Sequence, residues 1–411
     1  MSSRTASPAA LRAAALATFT VFATNGFIFA SWAARIPSVT STLGITTGEM
    51  GLLLFVGAIG SLIALPLTGT VADRVGLKRT VRLGGGLAIT GGAVIAVGLL
   101  IRSPVAVAAG LAVFGAGIGF WDVAQNLAGA DVEHRLGRTI MPQFHAAFSG
   151  GAFLGAVVGA GLSAAGVDLP LHLFGIILAV VLVMAVAPRH FLPHTHDADH
   201  TGGAAGAPGE AAAAGKGGAL EAWRDARTVL IGVVVLGATL TEGAGNDWIS
   251  KGAVDGLGAS EAAGAGLFAA FVGAMTLARW FGGPVIDRIG RVSALRISMV
   301  SAFIGLVAYS LAGTYWVAAV GAVLWGIGAA LTFPMGMSAA ADDPRKAAAR
   351  VSVVSTVGYV AFLAGPPFLG LLGDHVGLRP ALLAILVPIA VALLLAGVTR
   401  KETVTAEETA Q

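Results

Sequence analysis

Apolar residues run along this chain in stretches of about 20, each closed by a short polar or charged break. A helix of about 20 residues crosses the roughly 30 Å hydrocarbon core of a bilayer. Twelve such spans are predicted, at 12–34, 47–72, 82–101, 104–127, 143–166, 170–188, 227–249, 260–284, 293–312, 316–340, 350–373 and 380–399. Each must be helical, because a lone span in lipid has to satisfy its own backbone N–H and C=O groups. Between the sixth and seventh lies 189–226, rich in Ala, Gly and His and without an apolar period, which reads as a cytoplasmic flexible linker. The chain thus divides into an N-terminal bundle at 1–188 and a C-terminal bundle at 227–400, with a polar tail, 401–411, expected to be disordered.

One charged break occurs twice. Gly69-Thr-Val-Ala-Asp73-Arg74-Val-Gly76-Leu-Lys78-Arg79 separates spans two and three, and Gly283-Pro-Val-Ile-Asp287-Arg288-Ile-Gly290-Arg291 separates spans eight and nine. In each copy Gly stands four residues before Asp, Arg follows Asp directly, and a second Gly comes three residues after it. The copies lie 214 residues apart, about half of the 411-residue chain. Trp32-Ala-Ala-Arg35 at the end of span one is matched by Trp248-Ile-Ser-Lys251 at the end of span seven, and Gly115-Ala-Gly117-Ile-Gly119 by Gly326-Ile-Gly328. A loop signature repeated at half length, with spans matching at nearly the same offset, points to two equivalent halves.

Composition agrees. The chain is 56% hydrophobic and 11% charged, against about 25% charged in soluble domains, so most of its surface must face lipid. Its 59 Gly show no collagen-like period and suit close helix packing in membranes. The absence of Cys rules out disulfides and thiolate metal sites. The net charge of +3 matters through its distribution. Of 25 Lys and Arg, twenty fall in segments on the side of both termini and four, Arg35, Arg102, Lys251 and Arg379, on the other, with Arg279 inside span eight. Basic loops stay in the cytoplasm, so a multi-pass protein of the cytoplasmic (inner) membrane is expected, with both termini and both hinges cytoplasmic. The polar start, Met1–Leu11, precedes an apolar run long enough to span, which reads as a first helix rather than a cleaved signal peptide. No soluble basic face exists for nucleic acid.

Twelve spans in two halves, with this hinge repeated between spans two and three and between eight and nine, resemble the major facilitator superfamily. Gly69, Asp73, Arg74, Gly76 and Arg79 all fall on that family's loop pattern. The resemblance implies an all-α integral membrane fold of two pseudo-symmetric six-helix bundles. It also implies that the hinge is a latch closing the cytoplasmic side. Asp73, and Asp287 in the second copy, would pair with a nearby Arg such as Arg79 or with the positive end of a helix in the other half. Three stretches are most similar to the fucose-permease-like branch: Trp121-Asp122-Val-Ala-Gln125-Asn126, Phe144-His145-Ala-Ala-Phe148-Ser149 and Glu242-Gly-Ala-Gly-Asn246-Asp247-Trp248. Two positions depart from proton-coupled members. Leu111 stands where many carry an Arg, and Gly151–Gly159 lacks the Pro of the antiporter pattern.

Candidate chemistry lies inside the spans. Asp122 sits about 18 residues into span four, where a carboxylate costs about 2.5–3.5 kcal/mol to insert. Gln125 and Asn126, at i+3 and i+4, share its helix face. The stripe reads as a substrate or proton site, or as hydrogen-bonding glue between helices. Glu242, near the middle of span seven with Asn246 one turn on, is a candidate protonatable group, and Asn25 occupies a comparable depth in span one. Spans one, four and seven converge on the central cavity, as the resemblance implies. His145 could relay protons or sit satisfied at the interface. Trp121 could stack on a sugar ring, whereas Trp32 and Trp248 stand where interfacial Trp occurs. Asp247 reads as an outer carboxylate near Lys251, and Arg279 as snorkelling toward the cytoplasmic end of span eight. Gly365-Pro366-Pro367 reads as a helix kink.

The expectation is a secondary transporter in which the bundles alternate access to a small polar solute, sugar-like on branch resemblance, with protons coupled through Asp122 or Glu242. Efflux of a small organic compound by proton antiport is the alternative within transport, and a non-transporting sensor the alternative outside it. No phosphate-cradling loop and no His-Glu-x-x-His cluster occurs, so neither an ATP-driven pump nor an enzyme is expected. The His194-Thr-His196-Asp197-Ala-Asp199-His200 run could hold a divalent cation but lacks supporting groups in a flexible linker. No metal site or cofactor is expected, and the protein is read as a monomer in the lipid bilayer.

Overall fold

The structure is a computed structural model that describes residues 7–137, 140–192, 221–343 and 346–401. Arg4, Arg138, Lys216, Arg345, the His194–His200 run, most of the 189–226 linker and the tail past Lys401 lie outside the described residues.

Among the described residues, twelve helices are long and apolar enough to cross a membrane. The first half comprises α1 (Pro8–Ala33), a short α2 (Ile36–Leu43), α3 (Thr47–Val75), α4 (Leu77–Leu100), α5 (Pro104–Leu136), α6 (Met141–Ala164) and α7 (Leu169–Val186). The second comprises α8 (Ala226–Leu257), α9 (Glu261–Ile289), α10 (Arg291–Leu311), α11 (Tyr315–Ala340) and α12 (Ala347–Val376), then α13 (Leu378–Leu382) and α14 (Leu386–Leu395), which together form the last span. Side-chain caps start several of them. Ser7, Ser103, Ser260 and Thr314 each accept a first-turn N–H, and Thr46 with Glu49 forms a reciprocal capping box.

Two spans run on past their predicted ends. α5 reaches Leu136 rather than 127, and α8 reaches Leu257 rather than 249. Polar residues are tolerated once a helix leaves hydrocarbon, so the apolar run underestimates the helix. The ends come where Gly137 and Gly258 turn the chain with φ of +63° and +62°. Lys251 therefore lies within α8 instead of a loop. The predicted kink at Gly365–Pro367 falls inside the continuous α12.

Small residues set the packing. Within the first bundle α1 packs on α6, α3 on α5, and α4 on α5; within the second, α10 packs on α11. A Cβ on Gly151 would meet the backbone of Ala23, one on Gly155 that of Phe27, and one on Gly26 that of Phe148. The bundles meet along α3–α12 and α6–α9.

Both hinges lie at one end of the molecule, hereafter the hinge side. At the opposite side the bundles are stitched together. Ser250 Oγ donates to Ala34 O (3.0 Å), Lys251 Nζ to Thr40 Oγ1 (3.3 Å), and Ser38 and Ser41 both donate to Glu261. Of the four basic residues predicted for loops on that side, Arg102 is exposed and the other three are built into the closed end. Arg35 bonds Ser38 Oγ and Val167 O, and Arg379 takes up the carbonyls of Tyr309, Ala312 and Gly256. All three of Arg35, Lys251 and Arg379 are buried.

Gly150 and Gly151 provide a matched test of the helix seam, since Gly150 has open space around its would-be Cβ and Gly151 faces the α1 backbone. Overpacking costs about 1–3 kcal/mol. Gly151→Val should lower the apparent melting temperature in detergent by several degrees and Gly150→Val should leave it nearly unchanged, as read by fluorescence-detected unfolding.

Candidate functional site

Asp122 is the nineteenth residue of the 33-residue α5, so it sits mid-membrane, half-buried. Helical spacing brings its two neighbours onto it. Gln125 Nε2 donates to Asp122 Oδ1 at 3.1 Å, and Asn126 Nδ2 donates to the Asp122 backbone carbonyl at 2.8 Å and to Oδ1 at 3.4 Å. The stripe thus supplies donors to its own carboxylate rather than to another helix. Across the bundle boundary, Tyr359 of α12 lies within electrostatic reach of Asp122.

The second bundle carries the strongest polar contact at this depth. Glu242 of α8 and Arg279 of α9 form a two-pronged ion pair, Arg279 Nη2 lying 2.9 and 2.8 Å from the two carboxylate oxygens. Arg279 Nε also donates to Ala330 O of α11 at 3.0 Å. This corrects the reading of Arg279 as a snorkelling residue. α9 continues ten residues beyond it to Ile289, too far for the guanidinium to reach an interface, so it is paired instead. The signal was available: a Glu and an Arg in consecutive spans are each costly in hydrocarbon alone. Pairing balances the charge of Glu242 within the span.

His145, exposed near the start of α6, lies within electrostatic reach of Arg279 and stacks edge-on against Phe22, ring centroids 5.5 Å apart. Thr276, one turn before Arg279, donates to Ser149 O across the boundary at 3.4 Å. Asp122 and Tyr359, and His145 and Arg279, therefore face each other between the bundles.

Other predicted residues do not join this group. Trp121 is fully buried against α4, where Gly84 leaves room for its backbone, and it offers no surface to a solute. Asn25 is buried in α1 with both amide atoms unpartnered among the described residues. Trp248 is buried rather than interfacial. Asn246 is half-buried. Asp247 stands one turn before Lys251 on α8, but the Lys251 ion pair is with Asp255, at 2.8 Å. Asp247 lines a small cavity with Leu240, Phe362 and Pro366 instead. Tyr359 and Arg279 are the residues that sequence reasoning passed over as site groups.

At the hinge side Asp73, Arg74, Arg79, Asp287 and Arg288 are all exposed, and Gly69 and Gly283 have open space around them. Gly76 and Gly290 take nearly the same backbone, φ +84° with ψ 154° and φ +80° with ψ 156°, a region suited to Gly alone. Arg291 behaves differently from the rest of its loop. It bonds both carboxylate oxygens of Asp342, at 2.9 and 3.0 Å, with Ser338 Oγ and Thr399 O, which ties α10 to the ends of α11 and the last span.

Removing one member of the Glu242–Arg279 pair leaves a charge unbalanced in a half-buried place, which costs up to about 3–5 kcal/mol when burial is complete and less here. Glu242→Gln and Arg279→Gln should each lower thermal stability, and the double variant should recover much of the loss. A double-mutant cycle on melting temperature should show coupling of about 1–3 kcal/mol.

Comparison with known proteins agrees with the architecture. The family model for the Major Facilitator Superfamily matches residues 3–141, 141–351 and 248–410. An uncharacterized transporter of Sinorhizobium fredii is 30% identical over 380 residues, covering 90% of this chain and 96% of its own. Among solved structures, the nucleoside transporter NupG superposes with a TM-score of 0.70 at 15% identity, over 94% of this chain and 98% of its own. The fucose:proton symporter FucP of E. coli does so with 0.62 at 15% identity, over 94% and 98%. Twelve spans in two like halves, a family model matching along nearly the whole chain and a full-length transporter relative lead to one conclusion: this chain is a multi-pass membrane transporter that belongs to the major facilitator superfamily.

Proposed function

We propose that the protein moves a small polar, hydroxyl-rich solute across the cytoplasmic membrane by alternating access, driven by protons through Asp122. The observation that carries this reading is the contrast between the mid-membrane carboxylates Asp122 and Glu242. Glu242 is neutralised by Arg279, whereas among the described residues Asp122 has amide donors from Gln125 and Asn126 and no counter-ion, and it faces the opposite bundle. A carboxylate without a counter-ion in a low-dielectric setting gains most from taking up a proton. That makes Asp122 a group able to exchange its proton as access changes side.

The solute class follows from the groups around it. Carboxylates, amides, a guanidinium, an imidazole and the Tyr359 phenol supply both donors and acceptors in convergent positions, which suits vicinal hydroxyls. The structural likeness to a fucose:proton symporter and a nucleoside transporter supports the same class. Basic residues concentrated at the hinge side support a cytoplasmic placement of that side and of both termini.

A thermal-shift screen of the purified protein against sugars, nucleosides and other polyols should return a stabilising ligand. In proteoliposomes, uptake of that ligand should be concentrative under an inward proton gradient. Asp122→Asn should abolish accumulation, by tenfold or more, while leaving solute exchange in the absence of a gradient largely intact. Accumulation by Asp122→Asn equal to that of the parent would overturn the assignment. Glu242→Gln should instead lose exchange and accumulation together, because it disturbs the pair that ties α8, α9 and α11 together.

A further inference from the structure

The hinge signature has a third copy that the two-fold repeat does not explain. Gly370-Leu-Leu-Gly-Asp374-His-Val-Gly377 repeats the same spacing, Gly four residues before Asp and Gly three after it, between α12 and α13. Its backbone repeats as well. Gly377 has φ +85° and ψ 147°, close to the values at Gly76 and Gly290. This copy lies on the side opposite the hinges, and only here does the Asp cross between bundles. Asp374 Oδ2 accepts from Thr46 Oγ1 at 2.8 Å and from the backbone N–H of Gly48 at 3.0 Å. That N–H is one of the first-turn donors of α3 that no helical carbonyl can satisfy, and the helix dipole favours a negative charge there. Thr46 is itself held in place, because its hydroxyl also accepts from Glu49 N at 3.2 Å.

The site is shaped for this contact. A Cβ on Gly48 would occupy the space of the Asp374 carboxylate, and one on Gly51 would strike the backbone of Pro366. A Cβ on Gly370 would meet Thr47 O in turn. Glycines on both helices thus bring α3 and α12 into backbone contact directly beneath the carboxylate. Asp73 and Asp287, in the other two copies, are exposed and make no hydrogen bond or ion pair among the described residues.

We propose that Asp374 is a counter-latch: in the conformation seen here it holds the side opposite the hinges closed, and its release accompanies opening of that side. α3 then carries a latch at each end, Asp73 on the hinge side and the Asp374 contact on the other, with one engaged when the other is free. This rests on the alternating-access reading above.

The chain has no native Cys, which permits a clean accessibility test. Ser250→Cys places a thiol at the closed seam, where Ser250 is buried against Ala34. Ser298→Cys places one in the packed interior of the second bundle as a reference for general loosening. In membrane vesicles, Asp374→Asn and Asp374→Ala should speed maleimide labelling of Ser250→Cys by about two- to fivefold, the range expected for losing one charge at a helix N-terminus. Thr46→Val should act in the same direction, and labelling of Ser298→Cys should not change. Asp73→Asn should slow labelling at Ser250→Cys. Unchanged labelling in both Asp374 variants, while Asp73→Asn still shifts it, would overturn the counter-latch and leave alternating access standing. Equal acceleration at both reporter positions would mean loosened packing and would also overturn it. No labelling at Ser250→Cys in the parent or in any variant would overturn alternating access and the counter-latch together.

Discussion

No water reaches the hydrocarbon core to take up an unpaired charge or an open backbone group, and the polar contacts of this molecule are arranged by that fact. Glu242 and Arg279 stand on consecutive spans at the same depth, and each is tolerable because the other is there. The remaining guanidinium nitrogen bonded to a carbonyl, Nε, goes to Ala330 O, so the pair also ties α11 to α8 and α9. In the first bundle, among the described residues, Asp122 has no basic partner, and amide donors one turn along its own helix take that place. Two halves built to one plan therefore reach the midplane with different electrostatics: a balanced ion pair on one side and a carboxylate held by amide donors on the other.

The ends of the molecule differ in a related way. On the side opposite the hinges, water is excluded by α2 and by close approach of α3 to α12, and the polar groups there are consumed in bonds between the bundles. Arg35 and Arg379 are drawn into this lid by carbonyls at loop and helix ends, which need donors. On the hinge side Asp73, Arg74, Asp287 and Arg288 stand in the open. Under the alternating access proposed above, packing through Gly makes such an arrangement switchable. Helix backbones in contact gain little from any single side chain, so a few hydrogen bonds at a seam can decide which side is shut.

The fold was legible because its cause is local. Twelve stretches of about 20 apolar residues are a property of the chain alone, and their positions agree with the helices to within a few residues, apart from the extended ends of α5 and α8. The repeat at Gly69–Arg79 and Gly283–Arg291 announced two like halves for the same reason. Asp122, Gln125 and Asn126 could be grouped because i+3 and i+4 positions on one helix are neighbours by geometry. Arg291 and Trp121 show where that logic stops. Both sit within recognised motifs, yet one is bound to Asp342 and the other is packed against α4, and neither destination is written in the motif.

What the sequence determined by itself is how many helices there are, their approximate limits, and which charges must find a partner or a wet surface. Which partner each one finds was decided by tertiary structure. Arg279 lies 37 residues from Glu242, and Asp374 lies 328 from Thr46. Periodicity carries no information over such separations, because it reports the face of a helix and not the helix that face will meet. The third copy of the hinge motif was printed in the chain from the start. It acquired meaning only when folding set it on the opposite side and brought the start of α3 beneath it.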